Sequence, residues 1–246
     1  MMESCQNCNE IIKGNFCANC GQKTSVHRYS FKHFITHDLI HGIWSIDNGI
    51  VFTIKELFTR PGHSIRDFIN GKRVGYFSFV SLLVIVLGVS LFVDEYSHVK
   101  LSDLVPESSK ESMNAIEEFT KEYPKITLLL TIPFYSVFSF FWFRKSKLNL
   151  TEHFVLNSYK TVAESIIGLI FTIITVIYTN QKGLMTIYSF VVLFSLVYTF
   201  WYYIQFFSAY GYSKRNLVIR CLGAIFSYTF FSIMLGIVSA IMKIGK

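Results

Sequence analysis

The chain has 246 residues, of which 52% are hydrophobic, 17% aromatic and only 16% charged, with a formal net charge of +7. An average soluble domain is about a quarter charged, so this composition argues against one. Nearly all acidic and basic residues sit in a few segments, leaving long uncharged runs, the pattern of several transmembrane helices.

The N-terminus, MMESCQNCNE, is polar and has no apolar h-region, so it does not read as a secretory signal peptide. Nor does an apolar run precede Cys5 to mark lipidation. Cys5-x2-Cys8 is followed by Cys17-x2-Cys20. In a reduced compartment this spacing favours metal over disulfides. Each turn presents two thiolates, and the two together supply a Cys₄ set suited to one structural Zn²⁺ per chain. Iron in a Cys₄ site shares that geometry. Gly21 follows Cys20, where a tight turn favours a residue that tolerates positive φ. Lys13-Gly14-Asn15 reads as the turn of a short hairpin between the pairs. Residues 1–26 are therefore expected to form a minimal zinc ribbon whose folding energy comes from metal. Four protein ligands close the site, making it structural and not catalytic. The segment holds Lys13 and Lys23 against Glu3 and Glu10, so it lacks the basic footprint of a nucleic-acid binder.

Residues 27–75 read as cytoplasmic amphipathic helices beside the membrane. Phe31, Phe34, Ile35, Leu39 and Ile43 give the first an apolar face, and Asp47-Asn48-Gly49 breaks it. His33, His37 and His41 share one face at i, i+4 and i+8, a spacing that can chelate metal or simply form a polar face near headgroups. A second helix is expected from Ile50 to Phe58. Thr59-Arg60-Pro61-Gly62 then makes a turn, with Thr59 or Gly62 able to cap a third helix holding Ile65, Phe68 and Ile69. Asn70-Gly71 ends that helix. Arg60, Arg66, Lys72 and Arg73 form a basic collar expected to face anionic lipid or a partner.

Five apolar runs follow, at about 76–93, 126–143, 162–178, 184–207 and 217–242. Crossing a bilayer takes about 20 residues of helix. The expected fold class is therefore an all-α polytopic membrane protein of about five spans, covering 76–246. Residues 1–75 hold nine Lys and Arg against six Asp and Glu, whereas 94–125 hold four against eight. Arg144, Lys145, Lys147 and Lys160 make the next connection basic. Basic loops stay inside, so the N-terminus is expected in the cytoplasm, the acidic 94–125 loop outside and the C-terminus outside.

Trp142 and the cluster Tyr198, Trp201, Tyr202 and Tyr203 fall near span ends, as interfacial aromatic residues do. Pro133 falls mid-span, where proline kinks a helix. Ser232, Gly236 and Ala240 form a small-residue stripe that allows close helix approach. Glu164 and Arg220 are the ionisable residues placed inside the runs, both near cytoplasmic ends, and are expected either to pair across the bundle or to snorkel.

The segment FCANCGQK, then HRYSFKHF, then DNGIVFTIKELFTRPGHSIRDFINGKRVGYFSF resembles the bacterial domain-of-unknown-function family 3667. The likeness covers about the first eighty residues, and Glu152-His153 in LTEHFVLNSY is similar to a later family feature. The resemblance implies an inner-membrane protein with an N-terminal zinc ribbon and assigns no activity. It places Arg60, Pro61, Gly62, Arg66, Gly71, Lys72 and Arg73 in the family motif.

The functional expectation is a membrane-anchored adaptor or sensor, whose ribbon and collar bind a cytoplasmic protein or membrane lipids. A transporter or lipid-handling protein is the first alternative and an intramembrane enzyme the second. The chain carries no H-E-x-x-H, no G-x-S-x-G and no P-loop.

Overall fold

A computed structural model describes residues 4–12, 14–26, 28–30, 49–97, 99, 101–104, 110, 113–114 and 124–244, with backbone alone at 101–102, 124–130, 232 and 235–244. Among the described residues seven α-helices follow one another: α1 (Gly49–Thr59), α2 (Pro61–Ile69), α3 (Phe79–Asp94), α4 (Pro124–Trp142), α5 (Leu150–Ile177), α6 (Gln181–Phe207) and α7 (Lys214–Ile244). Short 3₁₀ turns lie at Leu101–Leu104, Arg144–Ser146 and Ser208–Tyr210. No strand is present among the described residues. The first amphipathic helix, with His33, His37 and His41, lies outside them.

Local chemistry explains the helix boundaries. Pro61 opens α2 at its first position, where its missing N–H and fixed φ cost nothing. Arg60 occupies the cap position and makes no side-chain cap bond, so neither Thr59 nor Gly62 caps this helix. The Thr59 hydroxyl turns back to the Lys55 carbonyl instead. Gly71, at φ +107°, lets the chain leave α2 through the Asn70–Gly71 turn.

A capping box starts α5. The Glu152 N–H donates to Asn149 Oδ1 at 2.8 Å, and Glu152 Oε2 accepts from the Asn149 N–H at 2.7 Å. The helix therefore begins at Leu150 and not near 162. Residues 150–161, expected as a basic loop, are helical and largely buried. Asn180 caps α6 by accepting from the Gly183 N–H.

The central helix is α5, which packs against α1, α2, α3, α4 and α6, while α7 closes on α4 and α6. The core runs from Leu57, Ile65 and Phe68 through Leu156 and Tyr159 to Tyr202 and Phe206. Tyr198, Tyr202 and Tyr203 are buried in it, contrary to an interfacial role. Their hydroxyls donate to the Leu57 carbonyl, the Leu156 carbonyl and Asn157 Oδ1, respectively. Trp142 donates from its indole N–H to Ser227 Oγ at 3.0 Å.

Among the described residues two helices, α5 and α6 continued through Tyr210, are long and apolar enough to cross a membrane. Helix α3 is apolar but spans only 16 residues. The outward face of α6 carries Phe190, Leu193, Phe194 and Val197, each more than half exposed.

Candidate metal centre and its docking

The four cysteines lie together, with their Sγ atoms all within 4.8 Å of one another. Cys5 and Cys20 sulfurs are 3.6 Å apart, and Cys8 and Cys17 sulfurs 3.5 Å. A tetrahedral ion with bonds of about 2.3 Å to sulfur would set its ligands about 3.8 Å apart, so the cluster is dimensioned for one. Against the Glu10 backbone N–H, which favours the thiolate, burial and the neighbours Cys17 and Cys20 push the Cys8 thiol up to about 11. The Gln22 backbone N–H draws the Cys20 thiol down to about 6 against the effect of burial, with Asn7, Cys8 and Cys5 assisting. Thiols this close resist sharing four negative charges, and a divalent cation removes that resistance.

The backbone achieves this by repeating itself. Cys5 N–H donates to the Glu10 carbonyl and Asn9 N–H to the Cys5 carbonyl, each at 2.8 Å. Twelve residues on, Cys17 N–H donates to the Gln22 carbonyl and Gly21 N–H to the Cys17 carbonyl, at 2.8 and 2.9 Å. Single antiparallel bridges, Ser4 with Ile11 and Phe16 with Lys23, close the two halves at the same register. Asn9 and Gly21 take matching left-handed conformations at φ 62° and 73°. Among the described residues each half thus closes on itself, in place of the expected hairpin between them. Lys13 of that hairpin lies outside the described residues.

The cluster is docked on the helices. Arg28 donates to Glu152 from Nε at 2.6 Å and from Nη2 at 2.7 Å, and Nη2 also reaches the Lys147 carbonyl. Glu152 is buried, and its carboxylate holds the Arg28 guanidinium protonated beyond the ordinary arginine range. Asn149 Nδ2 donates to the Tyr29 carbonyl. The Arg73 guanidinium lies 4.2 Å over the Tyr29 ring, and its backbone N–H donates to Gln22 Oε1. Gln6 lies against Gly71, leaving no room there for a Cβ.

The collar residues are therefore used within the protein. Arg66 Nη1 donates to the carbonyls of Gln205 and Phe206 at 2.9 and 3.0 Å, satisfying the C-terminal end of α6. Its Nη2 meets His63 Nδ1 at 2.7 Å. Arg60 pairs with Glu56 at 2.6 Å, and Lys72 with Asp67 at 3.3 Å. Only Arg60 and Lys72 keep about half their side-chain surface exposed.

The expected Glu164–Arg220 pair does not form. Arg220 Nη1 donates to the Trp142 carbonyl at the end of α4, and its guanidinium lies over Tyr212. Glu164 Oε2 accepts from Lys160 Nζ at 2.7 Å, and Oε1 accepts from the Thr199 hydroxyl at 2.5 Å. Because α5 begins at Leu150, Glu164 stands about 21 Å along it and not at its start. Lys160, assigned to a loop by hydropathy, is fully buried with its ammonium 3.2 Å from the Tyr135 ring centroid. A Lys four residues before a Glu was the helical signal for this pair. His153 is also buried, and its Nδ1 meets Ser139 Oγ at 2.9 Å.

A family model described as protein of unknown function (DUF3667) matches residues 47–91. That stretch contains α1, α2, the Asn70–Arg73 turn and most of α3. In this chain it holds Arg66, which joins α2 to the end of α6, and Arg73, which meets Tyr29 and Gln22 of the knuckle segment. No curated protein and no solved structure matches the chain.

Proposed function

We propose that this chain is a membrane sensor or adaptor of about five spans, with a cytoplasmic N-terminus carrying a zinc-held knuckle. The observation that carries the reading is the paired bond from Arg28 to Glu152, because it ties the knuckle to the first turn of the central helix α5. A change at the cysteines would thereby reach the bundle. Zn²⁺ held by Cys5, Cys8, Cys17 and Cys20 would supply folding energy to a segment too short for a core.

Several features support the remaining parts. The outward apolar residues of α6 suit lipid contact, and basic connections alternate with poorer ones in the pattern of an inside N-terminus. Ile11 and Phe16 on the knuckle are 49% and 62% exposed, apolar surface suited to a protein partner. Arg60 and Lys72 can additionally meet anionic headgroups through their exposed parts.

The test uses the full chain, purified gently from native membranes beside Cys17→Ser/Cys20→Ser and Phe16→Ser variants. Mass spectrometry then reads the retained proteins and lipids, and metal analysis the zinc. The expected result is one zinc per wild-type chain and a partner protein lost from both variants. Identical retained proteins in all three samples would overturn the adaptor role, and a metal-free wild type would overturn the zinc-held knuckle.

A further inference from the structure

Helices α4, α5, α6 and α7 leave a cleft of about 240 Å³ between them. Its walls are mostly apolar, with Val191, Val192 and Leu196 of α6 and Ile225 of α7, and Tyr135 and Tyr228 contribute their rings. At its floor are Glu164, Thr199 and Tyr203. A polar floor under apolar walls, in helices with apolar outer faces, is the form of a site entered from lipid.

The hydrogen bonds already made define what the floor can accept. The Thr199 hydroxyl spends its proton on Glu164 and the Tyr203 hydroxyl spends its proton on Asn157. Both oxygens keep acceptor capacity, as does the Glu164 carboxylate, whose side chain is 21% exposed. Beside them Ser195 lines the cleft, and its hydroxyl makes no hydrogen bond among the described residues. The cleft thus offers the Glu164 carboxylate as an acceptor and the Ser195 hydroxyl as a group that can both donate and accept, with Tyr135 and Tyr228 adding phenol groups to its lining.

Its charge is balanced within the protein. Lys160 is fully buried behind Glu164 and neutralises it. A cationic head entering the cleft would compete with Lys160 for one carboxylate. An anionic head would face that carboxylate, 21% exposed, and be repelled by it. Desolvating either charge without a counter-charge is costly. An uncharged head bearing a hydroxyl has neither defect.

We infer that this cleft binds a neutral membrane lipid with a free hydroxyl, of the diacylglycerol or long-chain alcohol type. The hydroxyl donates to Glu164, with Ser195 beside it, and the acyl chain lies along Val192 and Leu196. The inference rests on the membrane reading above and gives that reading a ligand.

The experiment places the full-length protein in lipid nanodiscs containing one of three photoactivatable probes with the same acyl chains: a diacylglycerol, a phosphatidic acid or a long-chain amine. Peptide mapping locates the crosslinks. The expected result is at least five-fold more labelling of 191–199 and 224–229 by the diacylglycerol probe than by the other two. Excess unlabelled diacylglycerol should remove it, and Ser195→Phe, which fills the cleft, should reduce it at least five-fold. Equal or stronger labelling by a charged probe overturns the inference, as does labelling that survives both the competitor and the filled cleft. Release of the chain from native membranes by alkaline carbonate would overturn the membrane reading as well. A carbonate-resistant chain with an unlabelled cleft would overturn this inference alone.

Discussion

Arg28 grips Glu152 through two nitrogens, at 2.6 and 2.7 Å, across 124 residues of sequence. The same carboxylate closes the capping box of α5 by accepting from the Asn149 N–H. One buried acid therefore both starts the central helix and anchors the segment that leads out of the cysteine cluster. The two tasks are separable by mutation, because Arg28 takes part only in the second.

Replacing Arg28 with Ala should leave the cap intact and release the knuckle. Arg28 is 60% exposed but Glu152 only 3%, so the cost should fall between the about 1 kcal/mol of a surface pair and the about 3–5 kcal/mol of a stranded buried charge. Limited proteolysis at residues 24–30 should accelerate several-fold while zinc content is unchanged. Arg28→Lys should behave closer to Ala than to wild type, since an ammonium cannot reproduce the two-nitrogen grip. Unchanged cleavage in both variants would remove Arg28 as the anchor.

Gly62 supports α2 against α6. A Cβ there would overlap the Tyr202 carbonyl, Gln205 Cβ and the Phe206 backbone nitrogen, and backbone cannot move aside cheaply. Its own N–H donates to Gln205 Oε1 at 3.2 Å. Gly62→Ala should destabilise the folded chain by about 1–3 kcal/mol, the usual scale for overpacking. Thermal unfolding in detergent measures this, and an unshifted midpoint would mean that the helices do not approach so closely.

His63 should make stability fall in acid. Burial, then the charges of Arg66 and Arg60, hold its pKa below the ordinary value near 6.5. Its Nδ1 can accept from Arg66 only when that nitrogen carries no proton. The unfolded chain thus binds the proton more readily. The contribution is complete above about pH 6.5 and is lost as pH falls through that value toward the folded pKa. Wild type should therefore lose unfolding temperature more steeply between pH 7 and 5 than His63→Asn, whose amide oxygen can still accept. Parallel curves would count against the His63–Arg66 bond.

Lys160 and Glu164 should behave as a unit. Lys160→Met strands the carboxylate inside the bundle, for which a cost of about 3–5 kcal/mol is typical. Lys160→Met combined with Glu164→Gln removes both charges, and Gln can still accept from Thr199. The double variant should recover most of that loss. Unfolding in detergent compares the two, and additive losses would show that the pair is not coupled.

The cysteine site was legible in the sequence because a metal knuckle is local, its ligands all lying within a short segment. The α2 boundaries were nearly as legible, since Pro61 and Asn70-Gly71 act on their own backbone. The onset of α5 was missed for a physical reason. Glu152, His153, Asn157 and Lys160 lower the hydropathy of residues 150–161, yet each finds a partner, Glu152 on the knuckle segment and the others on another helix or one turn away. Hydropathy scores a residue alone and cannot register such pairing. The same limit applies to Arg66, Arg73 and Arg220, whose charges read as lipid-facing or membrane-embedded but are met by carbonyls and aromatic rings.

The twelve-residue repetition of the knuckle carries a consequence for its failure. Each half contributes two thiolates, a single bridge and a turn, and neither encloses apolar side chains of its own. An ion held equally by both halves would be the keystone of an arch with no mortar. Oxidation or loss of any one cysteine should therefore collapse both halves in a single step, which also frees Gln22 from Arg73. Such a collapse would be all-or-none and not graded.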